Sequence, residues 1–290
     1  MPRTKSYIGA IKELRKRYYA ALSGKESLIK LISEVEISEQ VYNSNAIENS
    51  RLTLEETEKI LLQLDLDRYI TERELFETKN LARVVAYMET RSHEQPLTME
   101  VMLFLHKMLL TNIRDDIAGR IRMQNEWVRV GSHIAANPAD IRELLDTMFG
   151  EYAANSSEHI VKRIARFHLM FEHIHPFVDG NGRMGRVMNN YLLLREGFVP
   201  MVILYATREK YYQAFAAFDA NGSTAHMEDI VGLALQESYH KRLAYLEGKR
   251  IVALSAYGKM EKISLSDLLN KAQRQTIEAF REKGTWKIGV

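Results

Sequence analysis

The chain has 290 residues, 46% hydrophobic and 27% charged, which is ordinary globular composition and enough for a sizeable core. It has no cysteine, which excludes disulfides, Cys-ligated zinc, iron–sulfur clusters and a thiol nucleophile, and fits a reducing compartment. Net charge is only +2, but residues 241–290 hold 11 Lys/Arg against 5 Asp/Glu, so the bulk carries no electrostatic footprint for nucleic acid and the tail a mild one.

The basic N-terminus, MPRTKSYIGAIKELRKRYY, has no apolar stretch of signal-peptide length, and no apolar run approaches the ~20 residues of a bilayer span. The expectation is a soluble, cytoplasmic protein with no membrane partner. Ile8, Ile11, Leu14 and Tyr18 then recur at helical spacing, as do Leu28, Leu31, Ile32 and Val35, a pattern that continues through Val41 to Ile47. Thr53 before Leu54-Glu55-Glu56 is an N-cap with acids in the first turn. Glu72 to Met88 reads as a helix, and Thr98 caps another through Leu103, His106 and Leu110.

The texture changes over residues 119–138. Met123-Gln124-Asn125-Glu126-Trp127-Val128-Arg129-Val130 runs into a Gly131-Ser132 step and His133-Ile134, which predicts a β-hairpin. Helices are predicted again over 139–153, 158–173, 183–195, 207–220 and 224–246, with Gly197 as a C-cap. The fold class is therefore all-α with one small hairpin. Met148, Met170 and Met188 read as core filler, and His159, His168 and His173 have no convincing metal-ligand spacing and read as structural.

Chemistry concentrates between two of these helices, at His175-Pro176-Phe177-Val178-Asp179-Gly180-Asn181-Gly182-Arg183-Met184-Gly185-Arg186. Gly180-Asn181-Gly182 is a permissive turn that can aim several backbone N–H groups at one point. It opens a helix, whose N-terminal amides and dipole favour an anion. Arg183 and Arg186 share a face beside that point, so together they describe a polyphosphate cradle. Asp179 at its lip is the hard oxygen ligand that Mg²⁺ takes beside phosphates. His175 is placed to take a proton from an incoming hydroxyl. Base, metal ligand, anion nest and charge clamp point to nucleotidyl or phosphoryl transfer.

Residues 175–186 resemble the Fic-family signature HPFx(D/E)GNGRxxR at every defined position. The likeness extends over about residues 36–240, through Ile164–Phe171 before the motif and Tyr191–Phe198 after it. It implies a Fic-type helical bundle that transfers AMP from ATP to a hydroxyl side chain of a target protein. By this resemblance His175 is the catalytic base, and Asp179 holds Mg²⁺, with Mn²⁺ as a substitute. Gly180, Asn181 and Gly182 form the anion hole, and Arg183 and Arg186 hold the β- and γ-phosphates. The hairpin is the flap, where Met123, Gln124, Trp127 and Val128 dock an unidentified target by β-augmentation.

Upstream, Ser44-Asn45-Ala46-Ile47-Glu48-Asn49 reads as a helix end with Ser44 and Glu48 on one face. The string resembles the family's (S/T)xxxE(G/N) inhibitory motif, which implies that Glu48 takes the Arg186 guanidinium from ATP. Three segments follow: an N-terminal helical region over 1–95 with an inhibitory helix at about 36–49, a catalytic core over 96–240, and a basic helical tail over 241–290. Two alternatives stand beside AMP transfer: removal of AMP by the same site, and a DNA-binding regulator acting through the tail. The tail shows no clear helix-turn-helix spacing, which argues against nucleic acid. Monomer and homodimer are both left open.

Overall fold

A computed structural model describes residues 4–130 and 133–290. The Gly131-Ser132 step of the expected hairpin lies outside the described residues. In chain order the helices are α1 (Thr4–Leu22), α2 (Glu26–Ile47), α3 (Leu54–Leu61), α4 (Glu72–Arg91), α5 (Met99–Leu110), α6 (Ile141–Ala154), α7 (Ile160–Ile174), α8 (Asn181–Arg195), α9 (Arg208–Asn221), α10 (Ala225–Leu246), α11 (Leu254–Glu261) and α12 (Leu265–Gln273). Strands β1 (Arg129–Val130) and β2 (His133–Ile134) form the expected hairpin, and β3 (Ile251–Ala253), β4 (Ala279–Glu282) and β5 (Thr285–Gly289) form a second sheet. Among the described residues no helix is long and apolar enough to cross a membrane.

The chain divides into two compact units. The larger, Ile37–Phe198 with Ile203–Glu228, holds the motif. Its centre is α8, where Met184, Val187, Met188, Tyr191, Leu192 and Leu193 are buried together with polar neighbours such as Asn189 and Arg186. A helix buried all round is the middle of a bundle. Helices α7 and α4 pack on it, with α6 and α9 against α7 and α5 against α4. Apolar residues of α7, among them Ile164, Phe167 and Phe171, are fully or nearly buried, at roughly 1.5–3 kcal/mol per large side chain removed from water.

Local chemistry fixes the ends of the elements that carry the site. Thr53 and Thr71 both make complete capping boxes, with Glu56 and Glu74 as the reciprocal partners. Helix α8 starts at Asn181, two residues before the sequence reading placed it, because Gly180 adopts φ +84° and turns the chain into the helix. Arg122 anchors the base of the flap. Its guanidinium donates to the carbonyls of His175 (2.8 Å), Glu126 (2.9 Å) and Ala136 (2.8 Å).

The smaller unit runs to Glu36 and takes up again at Val199–Val202 and Asp229–Val290. Its C-terminal part corrects the expectation of a helical tail and of a single hairpin. Beyond the end of α10 at Leu246 the helices are the short α11 and α12, and residues 251–253, 279–282 and 285–289 pair antiparallel in the order β3-β5-β4. The hairpin is set by Lys283 (φ +50°) and Gly284 (φ +75°), a two-residue loop between the paired Glu282 and Thr285. Two consecutive positive φ values match the twist of paired strands. A helical reading of this basic stretch overlooked the Lys-Gly turn signal.

Candidate active site

The site is built on the break between α7 and α8. His175 ends α7 in the left-handed conformation (φ +51°), its N–H donating to the Phe171 carbonyl (2.9 Å), just where Pro176 forbids a further helical turn. The loop returns on itself through Asn181. The Phe177 N–H donates to Asn181 Oδ1 (2.9 Å) and Asn181 Nδ2 donates to the Phe177 carbonyl (2.9 Å). The Asn181 side chain therefore closes the turn, and its contribution to an anion hole is limited to its backbone N–H. That amide and those of Gly182 and Arg183 open α8, where they have no partner within the helix.

His106 of α5 holds the loop from below. Gly119 N–H donates to its Nδ1 (3.0 Å), so the proton sits on Nε2, which donates to the Asp179 carbonyl (3.0 Å). The ring stacks on Phe177 at 3.7 Å between centroids. Burial pushes its pKa down to about 4, so it stays neutral.

The Asp179 carboxylate accepts from Arg73 Nη2 of α4 (2.9 Å) and from Arg183 Nη2 (3.3 Å). Burial opposes its ionisation, but Arg183 and then Arg73 outweigh it and hold the carboxyl below the usual range. Arg183 also pairs with Glu77 of α4 (3.2 Å), yet its Nε is buried with no hydrogen-bond partner. Asn45, Glu48, Arg73, Glu77, Asp179, Gly180 and Arg183 line one cavity of about 120 Å³. An ionised carboxylate, helix-opening amides and a buried guanidinium with an idle N–H suit a phosphate chain carrying a divalent ion. Among the described residues there is no group of three or more His, Cys, Asp or Glu that could hold a metal. Asp179 would thus be the principal protein ligand, the phosphates and water completing the shell.

Arg186 is fully engaged. Its Nε donates to Ser44 Oγ (2.9 Å) and its Nη2 to the Ser44 carbonyl (2.8 Å) and Glu48 Oε1 (2.9 Å), while Nη1 reaches Tyr211 Oη (3.4 Å). The last turn of α2 is thus seated on α8. Gly182 permits this, because a Cβ there would collide with Glu48 Oε1. Asn49 plays a different part from its neighbours. It takes φ +67° and its N–H donates to the Ala46 carbonyl (3.0 Å), which makes it the left-handed cap of α2.

Glu172 lies under His175. His175 Nδ1 is 3.3 Å from the Glu172 carbonyl and 3.7 Å from its Oε2. Burial first, and Glu48 second, raise the Glu172 pKa to about 8, so the carboxyl is largely neutral near pH 7. Glu172, Arg73, Glu77, His106 and Tyr211 were not singled out from sequence as site residues. Only the Glu at i−3 from His175 offers a local signal. Of the histidines read as structural, His168 bonds Tyr211 Oη (2.6 Å) and is kept neutral by burial, and His173 pairs with Asp219 (2.8 Å).

The flap residues are not drawn into the cavity. Met123 (55% exposed) and Trp127 (58%) stand in water with Val130 (37%) and Ile134 (65%), and Val128 extends the ladder by accepting from the Ala135 N–H (3.1 Å). Gln124 lies in the turn between Met123 and Trp127.

A model of the Fic/DOC family matches residues 96–193, the stretch from the start of α5 to near the end of α8. This stretch is a Fic/DOC domain. The chain is 32% identical over 219 residues to the protein adenylyltransferase Fic of Drosophila willistoni, covering 70% of this chain and 43% of that protein. To its Drosophila virilis counterpart it is 34% identical over 181 residues, covering 60% and 36%. The chain thus spans less than half the length of these curated relatives. Among solved structures, a Fic-domain signaling protein from Bacteroides thetaiotaomicron superposes with TM-score 0.74 at 22% identity, over 83% of this chain and 97% of that one. A Fic family protein from Desulfovibrio desulfuricans superposes with TM-score 0.70 at 20% identity, over 100% and 96%. These likenesses establish the fold of the Fic domain and its flanking helices.

Proposed function

We propose that the chain is a protein adenylyltransferase that moves AMP from ATP to a hydroxyl side chain of another protein. The observation that carries this reading is the convergence of Asp179, Gly180 at the start of α8 and the buried, partly idle Arg183 on one cavity. The adenylyltransferase relatives support the choice of donor.

The residues divide the work as follows. His175 Nδ1 faces the carbonyl of Glu172, so Nδ1 carries the proton and Nε2 is the atom that takes the proton of the acceptor hydroxyl. As Nε2 takes that proton, the hydroxyl oxygen attacks the α-phosphorus, the bond to the bridging oxygen breaks and pyrophosphate leaves. The amides of Asn181, Gly182 and Arg183 meet the charge that develops on the phosphate oxygens. Asp179 would hold Mg²⁺, which would neutralise the phosphate charge when bound. The exposed strands of the flap offer backbone to an extended segment of the target.

Arg186 is withheld from this arrangement by Ser44 and Glu48. The chain as folded is therefore proposed to be the restrained form, with Glu48 as the restraint. A phosphate chain can recruit Arg186 only when Glu48 withdraws, and a misplacement near 1 Å costs ~10²-fold in such reactions. A second reading uses the same groups in reverse. Glu48 is 40% exposed and lines the cavity beside Asp179, where its carboxylate would orient water to release AMP from a modified target.

Incubation with ATP labelled on the α-phosphate tests the proposal. Self-labelling by Glu48→Gly that disappears in Glu48→Gly/His175→Ala is expected. Label arriving from the γ-phosphate instead would make the chain a kinase-like transferase.

A further inference from the structure

The last forty residues hold a folded module that transfer chemistry does not use. Helices α11 and α12 are joined by the three residues Lys262-Ile263-Ser264, with Lys262 left-handed (φ +56°) and Ser264 capping α12 through its Oγ and the Asp267 N–H (3.2 Å). Gly258 allows the two helices to close up, since a Cβ there would lie 2.9 Å from the Ile263 carbonyl and 3.0 Å from Leu268. Leu254, Leu268, Ala272, Ala279 and Ile288 form a core of their own beneath α11, α12 and the sheet. A three-residue turn between packed helices, followed by a β-hairpin, is the helix-turn-helix arrangement.

We infer that this module binds double-stranded DNA, with α12 in the major groove and the β4–β5 turn beside the phosphate backbone. Leu268 and Ala272 bury one face of α12, which leaves the other to water. On that face Ser266, Asn270 and Gln273 fall in one stripe at i, i+4 and i+7, and all are exposed. Hydroxyl and carboxamide groups are the readers of base edges, Asn and Gln pairing with adenine in two-point fashion. Beside them stand Lys271 and Arg274, suited to phosphates, and Asp267, which accepts from a cytosine amino group.

Charge supports this occupant. Lys259, Lys262, Lys271, Arg274 and Lys283 are exposed on the module, against Glu261 and Asp267. Its other two acids are committed elsewhere, Glu278 to Lys249 (3.0 Å) and Arg17, and Glu282 to Tyr245 and Lys287. A protein partner would want an apolar or aromatic centre, and the reading face of α12 offers only Leu265 at its start. An RNA duplex has a major groove too narrow for α12.

The test uses the full chain and labelled random-sequence duplex DNA of about 30 base pairs, long enough for one helix in one groove. Binding at low salt is expected to weaken with a log–log salt slope of about −3, near 0.9 per phosphate held. Lys271→Glu/Arg274→Glu should weaken it at least tenfold and flatten the slope by about 2. Asn270→Ala/Gln273→Ala should keep random-sequence binding and abolish preference for sequences selected from a pool. The same variants keep the far-UV circular dichroism and thermal unfolding midpoint of wild type, which reports that the chain, module included, is folded. No binding at about 25 mM salt, binding indifferent to the charge reversal, or tighter binding to an RNA duplex of equal length would each overturn the inference.

Discussion

Glu48 Oε1 accepts a hydrogen bond from Arg186 Nη2 at 2.9 Å, joining the end of α2 to the second arginine of α8 across 138 positions of sequence. Ser44, one helical turn earlier, holds the same guanidinium through both its hydroxyl and its carbonyl. The contact is therefore divisible. Removing the Glu48 carboxylate frees one N–H of Arg186 and leaves two bonds from Ser44 to keep the fold.

Glu48→Gly should raise self-modification with ATP and Mg²⁺ at least tenfold, about 1.4 kcal/mol of barrier. Ser44→Ala should raise it less, because Glu48 and the Ser44 carbonyl still hold the arginine. Initial rates of label incorporation compare the two, and equal rates for wild type and Glu48→Gly would end the role of Glu48 as restraint.

His175→Ala should abolish transfer and leave ATP affinity within about twofold, since the base acts on the acceptor and not on the phosphates. Calorimetric titration with ATP, done on the Glu48→Gly background, separates binding from chemistry. A variant still active would remove His175 as the base.

Arg73 donates to Asp179, the carboxylate proposed to hold a divalent ion. Arg73→Ala should lower the Mg²⁺ concentration for half-maximal transfer several-fold, because Asp179 loses a competing cation. If the KM for ATP rises instead while the Mg²⁺ requirement is unchanged, Arg73 is a phosphate ligand.

Glu172 gives a pH signature. Its pKa is raised to about 8 in the folded chain from an ordinary value near 4.5, so between these values the folded state holds a proton that the unfolded state has lost. Its contribution is thus fully present below about pH 4.5 and is lost as pH rises through 8. Glu172→Gln keeps the shape and cannot titrate, so its stability should decline less than that of wild type across this window. Urea melts at several pH values measure the difference, and parallel curves would mean that Glu172 is ionised throughout.

Trp127 and Met123 stand exposed on the flap. Trp127→Ala should reduce modification of a target protein several-fold while leaving ATP binding and thermal stability unchanged, as expected of an exposed anchor at an interface. A matching loss of ATP affinity would place Trp127 in the nucleotide site.

The stretch from His175 to Arg186 was legible because its chemistry is local. Helix end, proline, glycine turn and helix start follow within twelve residues, and spacing alone places Asp179, Gly180 and Arg183 at one point. The same holds for the Thr53 cap and for Ser44 and Glu48, which one helical turn sets on one face. Sequence alone also determined the helical class, through apolar residues at helical period. Only the tertiary structure decided that α4 delivers Arg73 and Glu77 to Asp179 and Arg183, that Tyr211 closes the Arg186 cage, and that the Asn181 side chain serves the loop. Apart from Asn181, which meets Phe177 four positions away, these pairs lie 25 to more than a hundred residues apart, and their meeting depends on how whole helices pack, which residue spacing does not encode. The tail shows the same limit at short range: α11 and α12 are too brief for periodicity to separate them from one basic helix, and the sheet that joins residues 251–253 to 285–289 exists only once the chain has closed on itself.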